Sequence, residues 1–408
     1  MASTSRGEWF DDFLAGLTAY YLTSLPVLLG VLFGVDFPRP GEGRSAPHPD
    51  LASACVHFDA GHYVQITREG YNYDPAKRSL VAFFPVYPLL SRGVSQATGL
   101  STEEALLLTS HAALLGAFVL LVRYVRVRWP EATAEQRSVV LAVFGLWPLG
   151  LFFRMPYAES LFVCVTLALL NGMARGWPLL VLALLAGLGT AVRPVGVALT
   201  AAFVWHVLVQ PNSPPWAKLR RLLLMTPLAC WGLLAYMTYQ WLAFGTPLAF
   251  AQTQEHWSWR APADRGWLPK LESLATLEPI WGVYAPGGWR YWLNVSAEGS
   301  PLYGLYFWNP IVFVLAGALL VLGGWKRWLN GSELVLGACL LAIPYLTRSY
   351  EMSMGSHGRF AAVVVVNYLV IGRKMRRSSA MSVAGVCAVL ALFIFVFTFL
   401  YVKNFPIF

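Results

Sequence analysis

An aspartate and a histidine lie three positions apart in an aromatic segment early in the chain. The segment reads Phe58-Asp59-Ala60-Gly61-His62-Tyr63. A carboxylate such as that of Asp59 can act as a general base that accepts a proton from a hydroxyl group. His62 can bind a phosphate or orient a substrate. We therefore predict Asp59 as a catalytic base and His62 as a binding residue; the alternative is that Asp59 only caps a helix that starts there.

Two arginines later in the chain are candidates for holding a phosphate group. Arg193 precedes a proline, and Arg359 follows a glycine. A guanidinium pairs well with phosphate because its N–H donors form a planar fork. The alternative is that each arginine only extends its charge to the surface of a membrane.

Three further residues are candidates for binding a substrate, and each has a structural alternative. His256 can bind a phosphate or orient a substrate, although a lone histidine is often structural. Glu159 lies at a predicted helix start, where a carboxylate also stabilises the helix dipole. The indole of Trp257 can stack on a sugar ring, or it can lie in the aromatic belt of a membrane protein.

The composition predicts an all-α polytopic membrane protein. Of the 408 residues, 57% are hydrophobic and 12% are charged, and 17 are tryptophan. A soluble protein of this length is far less apolar. The formal net charge of +9 lies largely in short clusters between apolar runs, which is typical of membrane topology rather than of a nucleic-acid partner. The five cysteines are scattered, so we predict neither a disulfide framework nor a zinc site.

The apolar runs predict about 11 transmembrane helices in a single domain that covers residues 1–408. Several runs are shorter than the ~20 residues of a full crossing, which indicates tilted or broken helices. The predicted spans are 13–34, 104–124, 137–153, 157–174, 178–192, 195–209, 222–244, 303–324, 333–347, 359–373 and 380–402.

The basic clusters predict the orientation of these spans. With a cytoplasmic N-terminus, every short basic connection lies inside, as the positive-inside rule requires. Two long extracytoplasmic loops then follow, 35–103 with the Asp59 motif and 245–302. The segment 80–97 has two interpretations, one more span or a surface helix. We predict the surface helix, because Pro85 and Pro88 interrupt the segment and a crossing would invert every later basic cluster. All the candidate site residues therefore face outward, and a shared extracytoplasmic site is expected.

Several motifs together resemble the PIG-V family, the enzymes that add the second mannose in glycosylphosphatidylinositol assembly, and its bacterial relatives. This chain has Phe58 where the family usually has tryptophan, which keeps an aromatic anchor beside Asp59. The motifs run in family order over most of the chain: the Phe58–Tyr63 segment, Gly70-Tyr71, Ala82-Phe83-Phe84-Pro85, Pro156-Tyr157-Ala158-Glu159-Ser160-Leu161-Phe162, Arg193-Pro194-Val195-Gly196, Gly245–Phe250 with Trp257, and Gly358-Arg359-Phe360.

The resemblance implies a GT-C fold and an inverting glycosyltransferase. Such an enzyme takes a sugar, here mannose, from a polyprenyl-phosphate carrier and transfers it to a glycolipid or glycan acceptor. A donor of this kind requires no cofactor, and its phosphate is a good leaving group. Two other functions stay open: a transporter or lipid flippase, and a non-catalytic subunit of a glycan-assembly complex. Charges that cluster at span ends and the lack of an internal repeat favour the enzyme over the transporter.

We expect the protein to lie in a bacterial cytoplasmic membrane with its site on the outer side. The first apolar run has no small-residue cleavage site and resembles an anchor. No C-terminal retention signal is present, which disfavours the alternative location, the endoplasmic reticulum membrane.

Overall fold

All regular elements are helices in the part of the chain that the structure describes. The computed structural model describes residues 6–36, 50–211, 214–261, 264–295 and 304–405. The predicted all-α class is confirmed. The first ten helices are α1 (Arg6–Asp36), α2 (Asp59–Glu69), α3 (Val86–Thr98), α4 (Thr102–Arg128), α5 (Ala134–Leu146), α6 (Glu159–Arg175), α7 (Leu179–Val192), α8 (Val197–Leu208), α9 (Pro215–Ala229) and α10 (Trp231–Phe244).

The second half of the chain begins with short helices and ends with long ones. The remaining ten helices are α11 (Ala249–Gln252), α12 (Trp267–Ala275), α13 (Glu278–Trp281), α14 (Trp292–Val295), α15 (Leu305–Trp325), α16 (Gly331–Pro344), α17 (Tyr350–Met352), α18 (His357–Ala362), α19 (Val366–Met375) and α20 (Ala380–Val402).

Four of the described helices are long and apolar enough to cross a membrane. They are α1, α4, α15 and α20, and a fifth span results if α9 and α10, which meet at a bend of 50°, count as one. This agrees with the predicted membrane protein. The other predicted spans correspond to helices of 6–17 residues, which rise only about 9–25 Å against a hydrocarbon core of about 30 Å. The number of about 11 crossings therefore stays a prediction.

Several of these shorter helices are interrupted, and the interruptions carry the candidate site residues. After α5 the chain forms a 3₁₀ helix at Pro148–Phe153 and turns into α6 at Glu159. After α7 it turns at Arg193 into a 3₁₀ helix, Pro194–Gly196. After α16 it widens into a π-helix, Tyr345–Ser349. Prolines at or next to these breaks explain them, because proline lacks the N–H that a regular helix needs.

Basic side chains gather at the end of the molecule away from Asp59. The N-terminal end of α4 is tied to α2 by the Arg68–Glu103 ion pair at 2.6 Å. At the other end of α4, Arg373 donates a hydrogen bond of 2.6 Å to the carbonyl oxygen of Arg128. The 27 residues of α4 span about 40 Å, so the two ends are a membrane thickness apart.

The segment predicted as a surface helix forms α3. This helix of 13 residues begins at Val86, directly after Pro85. Its length of about 20 Å is too short for a crossing, and it packs against α4. The second predicted loop, 245–302, contains α11 to α14 in its described part. The domain boundaries themselves stay a prediction.

Candidate active site

Asp59 is the first residue of α2, and the segment before it is held tightly. Phe58 has φ of +54°, a conformation that a bulky residue adopts only when its surroundings impose it. The hydroxyls of Tyr157 and Tyr401 both donate to the carbonyl oxygen of His57, each at 3.1 Å. Helix α20, the last in the chain, therefore helps to fix the position of Asp59.

The structure brings four candidate residues into one chain of alternating charges. Asp59 Oδ2 lies 2.8 Å from Arg359 Nη1. Glu159 Oε1 lies 3.3 Å from Arg359 Nε and 2.9 Å from Arg193 Nη1. Two carboxylates and two guanidiniums balance each other within this cluster. Sequence reasoning placed all four on one face of the membrane but did not predict that they pair.

Glu159 is the most buried member of this cluster. It is 2% exposed, while the side chain of Asp59 is 31% exposed. Although the Arg193 Nη1 and Arg359 Nε atoms are close to Glu159, their N–H bonds are not aligned for hydrogen bonding, and both atoms are shielded from solvent. The contacts are therefore electrostatic. We interpret Glu159 as a residue that positions both arginines, and Asp59 as the member most open to a substrate.

Two glycines allow the close packing around Arg359. A Cβ atom on Gly358 would lie 2.2 Å from Leu149 and 2.6 Å from the side-chain oxygen of Asn309, which accepts a hydrogen bond from the Gly358 backbone N–H. A Cβ on Gly355 would lie 2.6 Å from the Trp259 ring. Because neither glycine has a Cβ atom, neighbouring side chains can pack directly against the backbone beside Arg359.

A cavity of about 1060 Å³ lies over the charged cluster. Asp59, Glu159, Arg193, Arg359 and Trp257 line it, so it collects five of the seven predicted site residues. Its wall carries seven basic and four acidic side chains. The basic residues are Arg78, Arg193, Arg265, Lys270, Arg290, Arg348 and Arg359, and the acidic residues are Asp59, Glu159, Glu255 and Glu351. The excess of positive charge favours an anionic ligand.

His62 lies behind the cavity wall rather than on its surface. Its ring lies 5.0 Å from the Phe83 ring and 5.1 Å from the Trp257 ring, between centroids. Phe83 and Trp257 line the cavity, and His62 supports them from the outside. The Trp257 Nε1–H is buried and has no hydrogen-bond partner among the described residues. The geometry thus favours a structural role for His62, while its predicted role in binding stays a prediction.

The protonation of His62 should make the protein less stable in acid. Burial lowers the pKa of His62 below its usual value of 6.5, against the opposing effect of the Asp59 charge. As the pH falls through 6.5, the unfolded chain takes up a proton at His62 before the folded chain does. The stability that His62 contributes above this pH is then lost as the pH falls through its folded pKa.

We expect the melting temperature of a His62→Phe variant to fall less between pH 7 and pH 5 than that of the unsubstituted protein. Phenylalanine keeps an aromatic ring against Phe83 and Trp257 and cannot be protonated. Thermal unfolding in detergent across this pH range measures the difference. Parallel curves for the two proteins would show that His62 is not the group that titrates.

His256 joins the two segments predicted as long loops but does not line the cavity. Its Nε2 lies 2.8 Å from the carbonyl oxygen of Pro75, and its own carbonyl oxygen accepts a hydrogen bond of 2.8 Å from Arg78 Nε. Through these two contacts His256 links the 70–80 segment to the 3₁₀ helix Thr253–Trp257. A direct contact with a substrate stays a prediction.

The structure adds residues that the sequence did not single out as binding residues. Tyr157 lies beside Arg359, with the guanidinium carbon 5.2 Å from its ring centre. Arg348, on the π-helix, lines the same cavity. No group of three His, Cys, Asp or Glu side chains within the described ranges is arranged to hold a metal ion.

The chain is similar to a known mannosyltransferase. It is 26% identical over 357 residues to GPI alpha-1,6-mannosyltransferase 2 of Cricetulus griseus, an alignment that covers 74% of this chain and 65% of that protein. The chain thus spans less than two thirds of the length of this relative. The similarity confirms the resemblance to the PIG-V family that the motifs indicate. No family model and no solved structure matches the chain significantly.

Proposed function

We propose that the protein is an inverting membrane glycosyltransferase of the GT-C fold. It moves mannose from a polyprenyl-phosphate carrier to a lipid-linked or extracytoplasmic acceptor. The observation that carries this proposal is the position of Asp59, a partly exposed carboxylate in the wall of a large cavity that has an excess of basic side chains. The similarity to a mannosyltransferase supports the choice of sugar.

The proposed reaction needs one base and no general acid. Asp59 takes the proton from the acceptor hydroxyl as its oxygen bonds to the anomeric carbon of the sugar. The bond between that carbon and the carrier phosphate oxygen breaks, and its electron pair leaves with the phosphate. The basic wall of the cavity stabilises the charge that develops there. Attack on the face opposite the phosphate inverts the anomeric carbon.

The remaining walls of the cavity suit the other parts of a lipid-linked donor. The rings of Tyr63, Phe83, Tyr157 and Trp257 line it near Asp59, where they can contact a sugar. Val192, Val195, Ile343 and Leu346 line an apolar part that suits a hydrocarbon chain. Arg193 and Arg359 are the predicted contacts of the donor phosphate, and each is already paired with a carboxylate. No cofactor enters this scheme.

Transfer from a labelled donor tests the function. The purified protein in vesicles receives radiolabelled mannosyl polyprenyl phosphate and a lipid extract as the source of acceptors. Label that moves to a new lipid or glycan supports the proposal. A donor that crosses the vesicle membrane unchanged would identify a flippase instead. Neither transfer nor transport would leave a non-catalytic subunit. GDP-mannose in place of the lipid donor should give no product.

We further propose that the site faces outward from a bacterial cytoplasmic membrane. The basic cluster around Arg128 and Arg373 lies about 40 Å from the α2 end of α4, which supports opposite membrane sides for the two. A Lys77→Cys variant should react with a membrane-impermeant thiol reagent in intact cells, and an Arg376→Cys variant should not. Both positions are exposed, and the parent protein supplies the background. Labelling only at Arg376→Cys would reverse the orientation.

A further inference from the structure

The basic residues of the cavity differ in the carboxylate partners and hydrogen-bond acceptors that the protein itself supplies to them. Arg193 and Arg359 are paired with Glu159 and Asp59, and Lys270 lies 2.6 Å from Glu351. A carboxylate that already balances a cation competes with any incoming anion. These three side chains therefore attract an anionic ligand less strongly than cations without a carboxylate partner would.

Three other basic side chains of the wall are engaged by carbonyl groups or aromatic rings. Arg265 donates hydrogen bonds of 2.7–2.9 Å to the carbonyl oxygens of Arg260 and Glu255. Arg78 donates to the carbonyl oxygen of His256 at 2.8 Å. Arg290 lies over the Trp259 ring, with 4.0 Å from the guanidinium carbon to the ring centre. Each of these contacts holds its guanidinium in a defined place.

Arg348 has only weak hydrogen-bond acceptors among the described residues. Its Nη1 lies 3.5 Å from the carbonyl oxygen of Gln254, at the limit of a hydrogen bond, and its Nη2 contacts the Met352 sulfur at 3.0 Å. Thioether sulfur is a weak acceptor. No carboxylate oxygen of the described residues lies within 4.0 Å of this guanidinium, which has five N–H donors. Arg348 therefore keeps N–H donors that an anionic ligand in the cavity can use.

The position of Arg348 also suits an anion at the reaction centre. It lies on the π-helix Tyr345–Ser349, and single π-turns of this kind occur often at functional sites. Burial lowers the pKa of the Arg348 guanidinium, and the charges of Glu351 and Asp59 oppose this effect. Arg348 and Asp59 line the same cavity, and Asp59 is paired with Arg359 rather than with Arg348. This is the arrangement required of a group that holds a leaving phosphate while a separate carboxylate takes the proton.

We propose that Arg348 binds the phosphate of the lipid-linked donor, and that Arg359 and Arg193 mainly position Asp59 and Glu159. This inference rests on the proposed function and divides the basic residues of the cavity into two roles. The planar fork of Arg348 can donate two parallel hydrogen bonds to phosphate oxygens. The sugar would then lie between Arg348 and Asp59, in the part of the cavity lined by aromatic rings.

Binding of a radiolabelled polyprenyl phosphate to the purified protein in lipid nanodiscs tests this division. For Arg348→Ala we expect the dissociation constant to rise about 10- to 100-fold, as for the loss of charge-assisted hydrogen bonds. Arg348→Lys should recover part of the affinity, because it restores the charge but not the planar fork. Arg193→Ala should cause a smaller rise, because Glu159 already balances that arginine.

Two controls separate phosphate binding from damage to the fold. Arg92 lies outside the cavity and donates one hydrogen bond of 3.0 Å to a carbonyl oxygen, so Arg92→Ala should bind the donor lipid like the unsubstituted protein. Polyprenol, which has the same chain but no phosphate, should bind equally to all variants. A loss of polyprenol binding in Arg348→Ala would assign the effect to packing and overturn the inference.

The outcomes also separate this inference from the proposed function. If the unsubstituted protein binds polyprenyl phosphate no better than polyprenol, the proposed donor is wrong. If it prefers the phosphate and Arg348→Ala keeps that preference, only the role of Arg348 is overturned. A larger loss in Arg193→Ala than in Arg348→Ala would return the phosphate to the ion-paired arginines.

Discussion

An Asp59→Asn variant is expected to lose sugar transfer by about 10²–10⁴-fold, the usual effect of removing a general base. Asparagine has nearly the same shape as aspartate, but its amide cannot accept the proton of the acceptor hydroxyl. The initial rate of label transfer from the lipid-linked donor measures the effect. Donor binding should change much less than the rate, because the substitution does not touch Arg348.

The fold of this variant should survive, because Arg359 keeps a second carboxylate partner. Glu159 Oε1 remains 3.3 Å from Arg359 Nε when the charge of Asp59 is removed. Asp74 lies 15 residues after Asp59, and its ion pair among the described residues is with Lys77, at 3.7 Å, so Asp74→Asn is the matched control and should keep full activity. An Asp59→Asn variant with more than about a tenth of the normal rate would exclude Asp59 as the base.

A Glu159→Gln variant is expected to lose about 3–5 kcal/mol of the free energy of unfolding, as when one partner of a buried ion pair is removed. Glu159 is 2% exposed and lies between Arg359 and Arg193, both largely buried. The neutral amide would leave Arg193 without a carboxylate partner among the described residues, because Asp59 pairs with Arg359. Thermal and denaturant unfolding in detergent measures the loss.

A second substitution and a surface ion pair complete this test. Adding Arg193→Gln to Glu159→Gln removes the excess cation, so the double variant should be more stable than Glu159→Gln alone, an interaction that a double-mutant cycle measures. Glu103 lies 2.6 Å from Arg68, whose side chain is 52% exposed, and Glu103→Gln should cost no more than about 1 kcal/mol. Equal losses for Glu159→Gln and Glu103→Gln would contradict the proposed role of Glu159.

The sequence by itself determined the class of the protein and most members of its candidate site. Composition alone indicates a membrane protein, because apolar residues in such excess are accommodated in the hydrocarbon core of a bilayer. The motifs around Asp59, Glu159, Arg193 and Arg359 were visible because each combines an ionisable residue with proline, glycine or aromatic neighbours. The short apolar runs also indicated broken helices, and the structure breaks them at Pro148, Pro194 and Pro344.

Only the tertiary structure decided which of these residues share a contact. Asp59, Glu159 and Arg359 come from helices far apart in the sequence, and their pairing depends on how α2, α6 and α18 pack together. Hydrophobic periodicity records which face of a helix is apolar, but not which polar side chain of another helix it meets. For the same reason the sequence could not place His62 behind the wall of the cavity. It also could not distinguish Arg348, whose charge lacks a carboxylate partner, from Arg193, whose charge is already balanced.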